Sequence, residues 1–239
     1  MKMLIHSKLF LLLISAPYFS AALSSHQSTE KVHGVASCYS YVLISTRGTY
    51  EAQGPCPSLA GMINQTLTNV PGGVEYDTVY PAADNGTEVE GADNIRSYIE
   101  AGLQSCPCQK YALLGYSQGA TASAIAMNYF NDTTSAAYKA ILAVVLIGDP
   151  VKRANEIADV DENGGDSTRS TNGIYYELQN NETISAPWYS SGKLLDICYS
   201  GDLVCNGLVL GASIIPHLLY QYSQSVQNEG AEWLESLLG

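Results

Sequence analysis

One serine lies where the chain is predicted to turn sharply from an apolar segment into an alanine-rich one. Residues Gly115 to Gly119 (GYSQG) follow the apolar stretch that ends at Leu114 and precede a helix-forming stretch that begins near Gln118. A nucleophilic serine elbow requires this strand-turn-helix context. The two glycines leave room for the neighbouring strand and helix, so the Ser117 hydroxyl projects from the turn. The segment therefore predicts a serine nucleophile for acyl transfer.

A serine nucleophile needs a general base, and the positions of the four histidines select one of them. His6 lies in the N-terminal leader, and His26 and His33 precede the first predicted strand. We therefore predict His217 as the base. The alternative is a packing histidine buried in the core, which we disfavour because a serine elbow without a base would be inert.

The third member of a catalytic triad would be a carboxylate that lies between the serine and the histidine in sequence. The aspartates in ordered segments of that interval are Asp149, Asp196 and Asp202. Asp202 directly follows a predicted strand, in a loop flanked by two cysteines whose disulfide would hold the carboxylate against the imidazole. We therefore predict Asp202, and we interpret Asp149, in a Gly-Asp-Pro turn, as a residue that caps local backbone N–H groups.

Apolar, β-rich segments alternate with helical patterns, and together they must position these residues. The predicted strands are residues 40–46, 74–80, 110–115, 141–147 and 193–198. Several are apolar on both faces, which is typical of a parallel sheet covered on both sides. Helical spacing is found in residues 89–103, 117–130 and 232–238. The pattern predicts one α/β domain with a doubly wound parallel sheet of about five strands, and residues 154–187 as an irregular excursion.

Composition excludes several classes of function. The chain has 239 residues, 46% of them hydrophobic, which is enough for a buried core. With 23 acidic and 11 basic residues the net charge is −12, so no basic surface is available for nucleic acid. No apolar stretch approaches the roughly 20 residues that span a bilayer, so we expect no stable membrane insertion. We also expect a monomer without a metal or an organic cofactor.

The N-terminal segment indicates secretion. Two lysines flank the start of an apolar run that leads to Ser-Ala-Ala at residues 20–22, a pattern typical of signal-peptidase cleavage. We interpret residues 1–22 as a signal peptide, 23–37 as an N-terminal extension, and 38–239 as the functional domain. Sequons for N-glycosylation begin at Asn64, Asn85, Asn131 and Asn181.

Six cysteines follow the leader, an even number that favours disulfides in a secreted chain. Cys198 and Cys205 enclose a six-residue loop and form the natural local pair. The other cysteines are Cys38, Cys56, Cys106 and Cys108. Cys106 and Cys108 are separated by one residue and are poorly placed to bond each other. Each is therefore expected to bond either Cys38 or Cys56. A zinc site is disfavoured because the Cys-x-Cys spacing of Cys106 and Cys108 is wrong for a zinc knuckle and no histidine lies nearby.

These segments together resemble the cutinase family of secreted fungal serine esterases, which includes acetylxylan esterases. The matching segments extend over residues 38 to 238 and are Arg47-Gly48-Thr49, Cys106-Pro107, residues 115–119, Gly148-Asp149-Pro150, residues 198–205 and Pro216-His217-Leu218. The resemblance implies a small α/β hydrolase without a large lid.

The resemblance also implies functional residues and disulfides. The implied triad is Ser117, Asp202 and His217, and the implied oxyanion hole consists of the backbone N–H groups of Thr49 and Gln118. The implied disulfides join Cys38 to Cys106 and Cys198 to Cys205. Their formation leaves Cys56 to pair with Cys108.

The segment between the predicted acid and base bears on the substrate. Its aliphatic residues predict an apolar rim beside the serine: Leu208, Val209, Leu210, Ile214 and Ile215. The alternative is that these side chains pack against the sheet. We predict a secreted esterase that hydrolyses cutin-type polyester. The alternatives are an acetylxylan esterase, with Trp188 and Tyr189 as a platform for sugars, and a non-catalytic interaction protein on the same fold.

Overall fold

A computed structural model describes residues 38–176 and 183–239. The predicted signal peptide, the N-terminal extension and the sequon at Asn181 lie outside the described residues. The described residues form a parallel sheet of six strands in the order β2-β1-β3-β4-β6-β5. The strands are β1 (Tyr41–Thr46), β2 (Gly73–Asp77), β3 (Lys110–Tyr116), β4 (Ile141–Ile147), β5 (Asp159–Val160) and β6 (Leu194–Ile197).

Helices cover both faces of this sheet. They are α1 (Ala60–Asn69), α2 (Glu88–Ser105), α3 (Gln118–Tyr129), α4 (Ala136–Ala140), α5 (Ala186–Tyr189) and α6 (Gln224–Leu238), together with 3-10 turns at Pro216–Leu218 and Tyr220–Tyr222. One core layer contains side chains of α2, α3 and α5, and the other contains side chains of α1 and α6. The central strands are almost entirely buried because helices pack on both of their faces.

The predicted α/β class and doubly wound parallel sheet are confirmed. All the predicted strands are present, and the structure adds β5 within the segment predicted to be irregular. This strand has only two residues, too few to produce a periodic pattern. Helix α1 was also missed, and α6 begins at Gln224, eight residues before the predicted start at residue 232.

Two disulfides are present. Cys38–Cys106 ties the chain before β1 to the residue after α2, and Cys198–Cys205 closes the loop after β6. Both agree with the pairings that the family resemblance implied.

The predicted Cys56–Cys108 disulfide is wrong, since Cys56 is a buried free thiol and Cys108 an exposed one. Cys56 follows the carboxyl end of β1, whereas Cys108 precedes the amino end of β3. Because the two strands are parallel neighbours, these cysteines lie at opposite ends of the strands, one at the carboxyl edge of the sheet and one at the amino edge. A strand of six residues separates the edges by roughly 20 Å, far beyond the reach of a disulfide.

Three aspartates and one lysine are fully buried around β4, β5 and β6: Asp149, Asp159, Asp196 and Lys152. The Lys152 ammonium lies 3.6 Å from a carboxylate oxygen of Asp159 and donates to two backbone carbonyl groups. Burial raises the pKa of all three carboxyl groups, and the single lysine charge opposes that rise without cancelling it. The folded state therefore holds protons on this cluster more tightly than the unfolded state does.

We predict that Asp196→Asn stabilises the protein increasingly as the pH rises. A carboxyl group with a raised pKa favours the folded state below its unfolded value of about 4, and this contribution is lost as the pH rises through the folded value. The folded values are about 6 for Asp149 and about 7 for Asp159. Removing one carboxyl group should raise the melting temperature by at least about 3 °C at a pH of about 8.

Calorimetry of both proteins between about pH 4 and pH 8 measures this difference. Asp166→Asn is the matched control, because the Asp166 side chain is 78% exposed. A melting temperature of Asp196→Asn that follows the wild type across this range would contradict the prediction.

Candidate active site

Ser117 lies in the sharp turn between β3 and α3. Its backbone has a φ of 55° and a ψ of −121°, a strained conformation for a residue with a side chain. A β-carbon on Gly115 would lie 2.5 Å from the Gly119 carbonyl oxygen, and one on Gly119 would lie 2.0 Å from the Thr46 carbonyl oxygen. Both glycines are therefore required, because the first turn of α3 packs directly on β1 and β3. The half-buried serine side chain is held at the carboxyl edge of the sheet.

The imidazole of His217 lies between Ser117 and Asp202. Its Nε2 is 2.9 Å from the serine Oγ, and its Nδ1 is 2.8 Å from Oδ2 of Asp202. The histidine and the aspartate are both buried. A carboxylate on Nδ1 favours the tautomer that carries its proton there, which directs the Nε2 lone pair at the hydroxyl. The structure thus brings the three predicted residues into one chain of hydrogen bonds that can remove a proton from Ser117.

The imidazole is also packed from two sides by residues that sequence reasoning missed in this role. A β-carbon on Gly148 would lie 2.8 Å from Cε1 of His217, so the ring occupies the space where a side chain would be. The Tyr116 ring stacks on the imidazole at a centroid distance of 5.1 Å, and its hydroxyl donates to the His217 carbonyl oxygen at 2.8 Å. Gly148 could be predicted only as part of a turn, since its contact with His217 is created by the tertiary fold and leaves no local pattern in the sequence.

The carboxylate of Asp202 is held by donors on both oxygens. Oδ1 accepts the backbone N–H of Val204 at 2.8 Å, and Oδ2 accepts the Tyr220 hydroxyl at 2.8 Å as well as the histidine. Asp149 contacts its local backbone instead, as predicted, and accepts the N–H of Val151 at 3.0 Å. The structure therefore separates the predicted acid from the predicted turn residue.

The loop after β1 packs against the serine turn. A β-carbon on Gly48 would lie 2.9 Å from the Tyr116 ring and 3.4 Å from the Ser117 β-carbon. The buried Arg47 guanidinium anchors this loop through backbone carbonyl groups of Glu51, Thr78 and Tyr80. The backbone next to Thr49 is therefore held close to the serine.

The predicted rim residues lie at the surface. Leu208, Leu210, Ile214 and Ile215 are between 49% and 106% exposed, and Val209 is half-buried. The alternative that this segment packs against the sheet is wrong for the four exposed side chains. Leu218 and Tyr222, which follow His217, are also exposed. Exposed apolar side chains therefore lie on both sides of the histidine in sequence, although each costs free energy in water.

Trp188 and Tyr189, the predicted platform for sugars, are buried. The Trp188 indole N–H donates to the Met127 carbonyl oxygen at 2.7 Å, and its ring packs on Tyr138. Arg153 covers the Tyr189 ring. Their placement in the core makes the platform interpretation wrong.

Within residues 38–176 and 183–239, no group of three or more histidine, cysteine or acidic side chains could hold a metal ion. The same residues contain no helix that is both long and apolar enough to cross a membrane.

Comparison with known proteins identifies similar chains. A family model described as Cutinase matches residues 37–238. A cutinase-like protein from Cryptococcus sp. of known structure is 36% identical, with a TM-score of 0.78 over 85% of this chain and 97% of that one. A cutinase of Blumeria hordei is 27% identical over 86% of this chain and 75% of its own length. Carboxylesterase Culp1 of Mycobacterium tuberculosis is 26% identical over 78% and 76% of the two chains.

We predict that Gly148→Ala lowers ester hydrolysis about a hundredfold, because a displacement of the imidazole by about 1 Å disrupts its alignment with Ser117. The matched control is Gly192→Ala. Gly192 has a φ of 70°, against 61° for Gly148, but a β-carbon there meets nothing within 4 Å. Both variants place an alanine at a similar positive φ, but only the first adds a clash with the imidazole, so only the first should lose kcat. Equal kcat values in the two folded variants would contradict this role of Gly148.

Proposed function

Because the chain belongs to the cutinase family and is a carboxylic ester hydrolase, we propose that it is a serine esterase whose nucleophile, base and acid are Ser117, His217 and Asp202. The observation that carries this proposal is the buried chain of hydrogen bonds from the serine hydroxyl through both imidazole nitrogens to the carboxylate. The same chain argues against a non-catalytic interaction protein, because binding alone does not need a base aligned on a hydroxyl.

The proposed reaction is acyl transfer in two steps. His217 removes the Ser117 proton as Oγ attacks the ester carbonyl carbon, and the resulting imidazolium gives that proton to the leaving alcohol. An acyl-enzyme forms on Ser117. Water, activated by the same imidazole, then releases the acid and restores the serine. Throughout, Asp202 orients the ring and stabilises the imidazolium.

The oxyanion of each tetrahedral intermediate needs N–H donors directed at it. We assign this role to the backbone N–H groups of Gln118 and Thr49. Gln118 is the first residue of α3, where the N–H groups are not used within the helix. Its side chain donates to the Ala83 carbonyl oxygen and to the Glu88 carboxylate. Thr49 lies in the anchored loop whose preceding residue, Gly48, packs against Ser117.

The proposed substrate is a cutin-type polyester. The support is the exposed aliphatic rim, which can cover acyl chains of a water-insoluble substrate and so offset its own exposure to water. The burial of Trp188 and Tyr189 argues against the acetylxylan esterase, because these rings cannot stack on sugars.

We further propose that the protein is a secreted, monomeric glycoprotein whose mature domain begins near residue 38. The two disulfides are typical of proteins that leave the reducing cytosol. The sequon asparagines Asn64, Asn85 and Asn131 are exposed, as an attached glycan requires.

We predict that Ser117→Ala abolishes hydrolysis of p-nitrophenyl butyrate and labelling by an organophosphate. The fold should persist, since the substitution removes one oxygen atom from a half-buried side chain. Ser105→Ala, at the exposed end of α2 on the opposite edge of the sheet, is the control and should retain both properties. Wild-type turnover by folded Ser117→Ala would refute the proposed nucleophile.

We predict that esters of butyrate or longer acids are hydrolysed faster than acetate, and that Leu210→Ser or Ile214→Ser reduces this preference. Each buried methylene of an acyl chain contributes up to about 0.8 kcal/mol, a factor of about four, whereas acetate has no methylene. The measurement is kcat/KM for p-nitrophenyl esters with acyl chains of about two to sixteen carbons.

The matched control for the rim is Ile157→Ser. Ile157 is 83% exposed but precedes β5, at the opposite edge of the sheet. Cutin and acetylated xylan are assayed alongside the soluble esters. A sharp preference for acetate, with release of acetate from xylan, would favour the polysaccharide deacetylase instead.

A further inference from the structure

We propose that Tyr220 is a positioning residue for the triad, whose buried hydroxyl orients the Asp202 carboxylate and weakens its hold on the protonated form of His217. The inference rests on the proposed function, because it concerns the acid and base assigned there. It adds a residue that acts on the reaction through the carboxylate without touching the substrate.

The hydrogen bonds around the Tyr220 hydroxyl determine the direction of its proton. The ring is fully buried, and the oxygen lies 2.8 Å from Oδ2 of Asp202 and 2.9 Å from the backbone nitrogen of Tyr199. A backbone N–H can only donate, so the phenol oxygen is the acceptor in that contact. Its single proton is therefore left for Asp202. Burial and the nearby Asp202 charge raise the pKa of Tyr220 well above its ordinary value, so the phenol stays protonated and remains a donor.

Asp202 depends on this donor because the backbone alone does not fix its carboxylate. The residue follows β6 in a loop, and its Oδ1 is held by the N–H of Val204. The other oxygen, Oδ2, receives both the imidazole N–H and the Tyr220 hydroxyl. Two donors on one oxygen define its position more closely than one donor does.

The same bond also affects proton affinity. A hydrogen bond to a carboxylate stabilises its negative charge and so reduces its attraction for a neighbouring imidazolium. The Tyr220 hydroxyl therefore weakens the stabilisation that the Asp202 carboxylate gives to the imidazolium. The free imidazole is the form that the proposed mechanism needs.

Few other titratable groups contact Tyr220. The rings of Tyr116, Tyr199 and His217 lie 5.8 to 6.0 Å from its ring centre, and Asp196 acts on it through its charge. The Cys198–Cys205 disulfide lies beside it, with one sulfur 3.4 Å from the hydroxyl. From α6, the neutral amide of Gln227 donates to the Tyr220 carbonyl oxygen.

The test changes the donor strength of Tyr220 in both directions. Tyr220→Phe removes the donor, so kcat for p-nitrophenyl butyrate should decrease about tenfold with little change in KM. The acid limb of the kcat/KM profile, which reports the free enzyme, should move to higher pH. Replacement of Tyr220 by 3-fluorotyrosine makes the phenol more acidic and a stronger donor, so the limb should move to lower pH.

Tyr41→Phe is the matched control. It also removes a buried phenol hydroxyl, but that hydroxyl donates to the Val70 carbonyl oxygen and does not contact the triad. Its acid limb should therefore coincide with that of the wild type. A merely structural role of Tyr220 would lower stability or yield of active protein without moving the limb.

An acid limb that stays at the wild-type position with 3-fluorotyrosine at residue 220 would overturn the inference, even where Tyr220→Phe does not fold. Movement of the limb in the same direction in both proteins would overturn it as well. Failure of the proposed triad is separate, since it would appear as activity in Ser117→Ala. An inactive Ser117→Ala with an unmoved limb in the Tyr220 variants rejects only the role of Tyr220.

Discussion

The buried carboxylate of Asp202 is the constraint on which the architecture of the site depends. A carboxylate removed from water is costly unless donors surround it. Here the donors come from the N–H of Val204, the imidazole of His217 and the hydroxyl of Tyr220. The disulfide between Cys198 and Cys205 closes the loop that carries the acid. The chain between β6 and α6 thus surrounds the Asp202 carboxylate with donors, and one of these donors is the imidazole that contacts Ser117.

Close approach between backbone segments is the second requirement. Gly115 and Gly119 allow α3 to contact β1 and β3. The His217 ring occupies the space that a side chain at Gly148 would fill. Parallel strands that end at one edge deliver Ser117, Gly148 and the loop of the acid to the same place. The parallel strands align these groups, and the glycines allow them to approach closely because they have no side chain. A larger residue at any of these positions would separate groups that must be within hydrogen-bond reach.

Features encoded by local pattern could be predicted from the sequence. The long apolar strands and the serine turn have such patterns, and His217 followed from the elimination of other histidines. Tyr220 and Gly148 had no comparable signal, because their roles arise from contacts that only the tertiary fold creates. The pairing of Cys56 failed for the same reason. Elimination among cysteines assumes that all are bonded, whereas strand direction places this one at the far edge of the sheet.

The buried cluster of Asp149, Asp159 and Asp196 stabilises the fold when its carboxyl groups are protonated, whereas the proposed reaction needs a deprotonated general base. The contribution of this cluster to the lifetime of the folded enzyme therefore increases toward lower pH, whereas the initial velocity falls as a general base becomes protonated. Over a long incubation on an insoluble substrate, these two trends act on the total product in opposite directions.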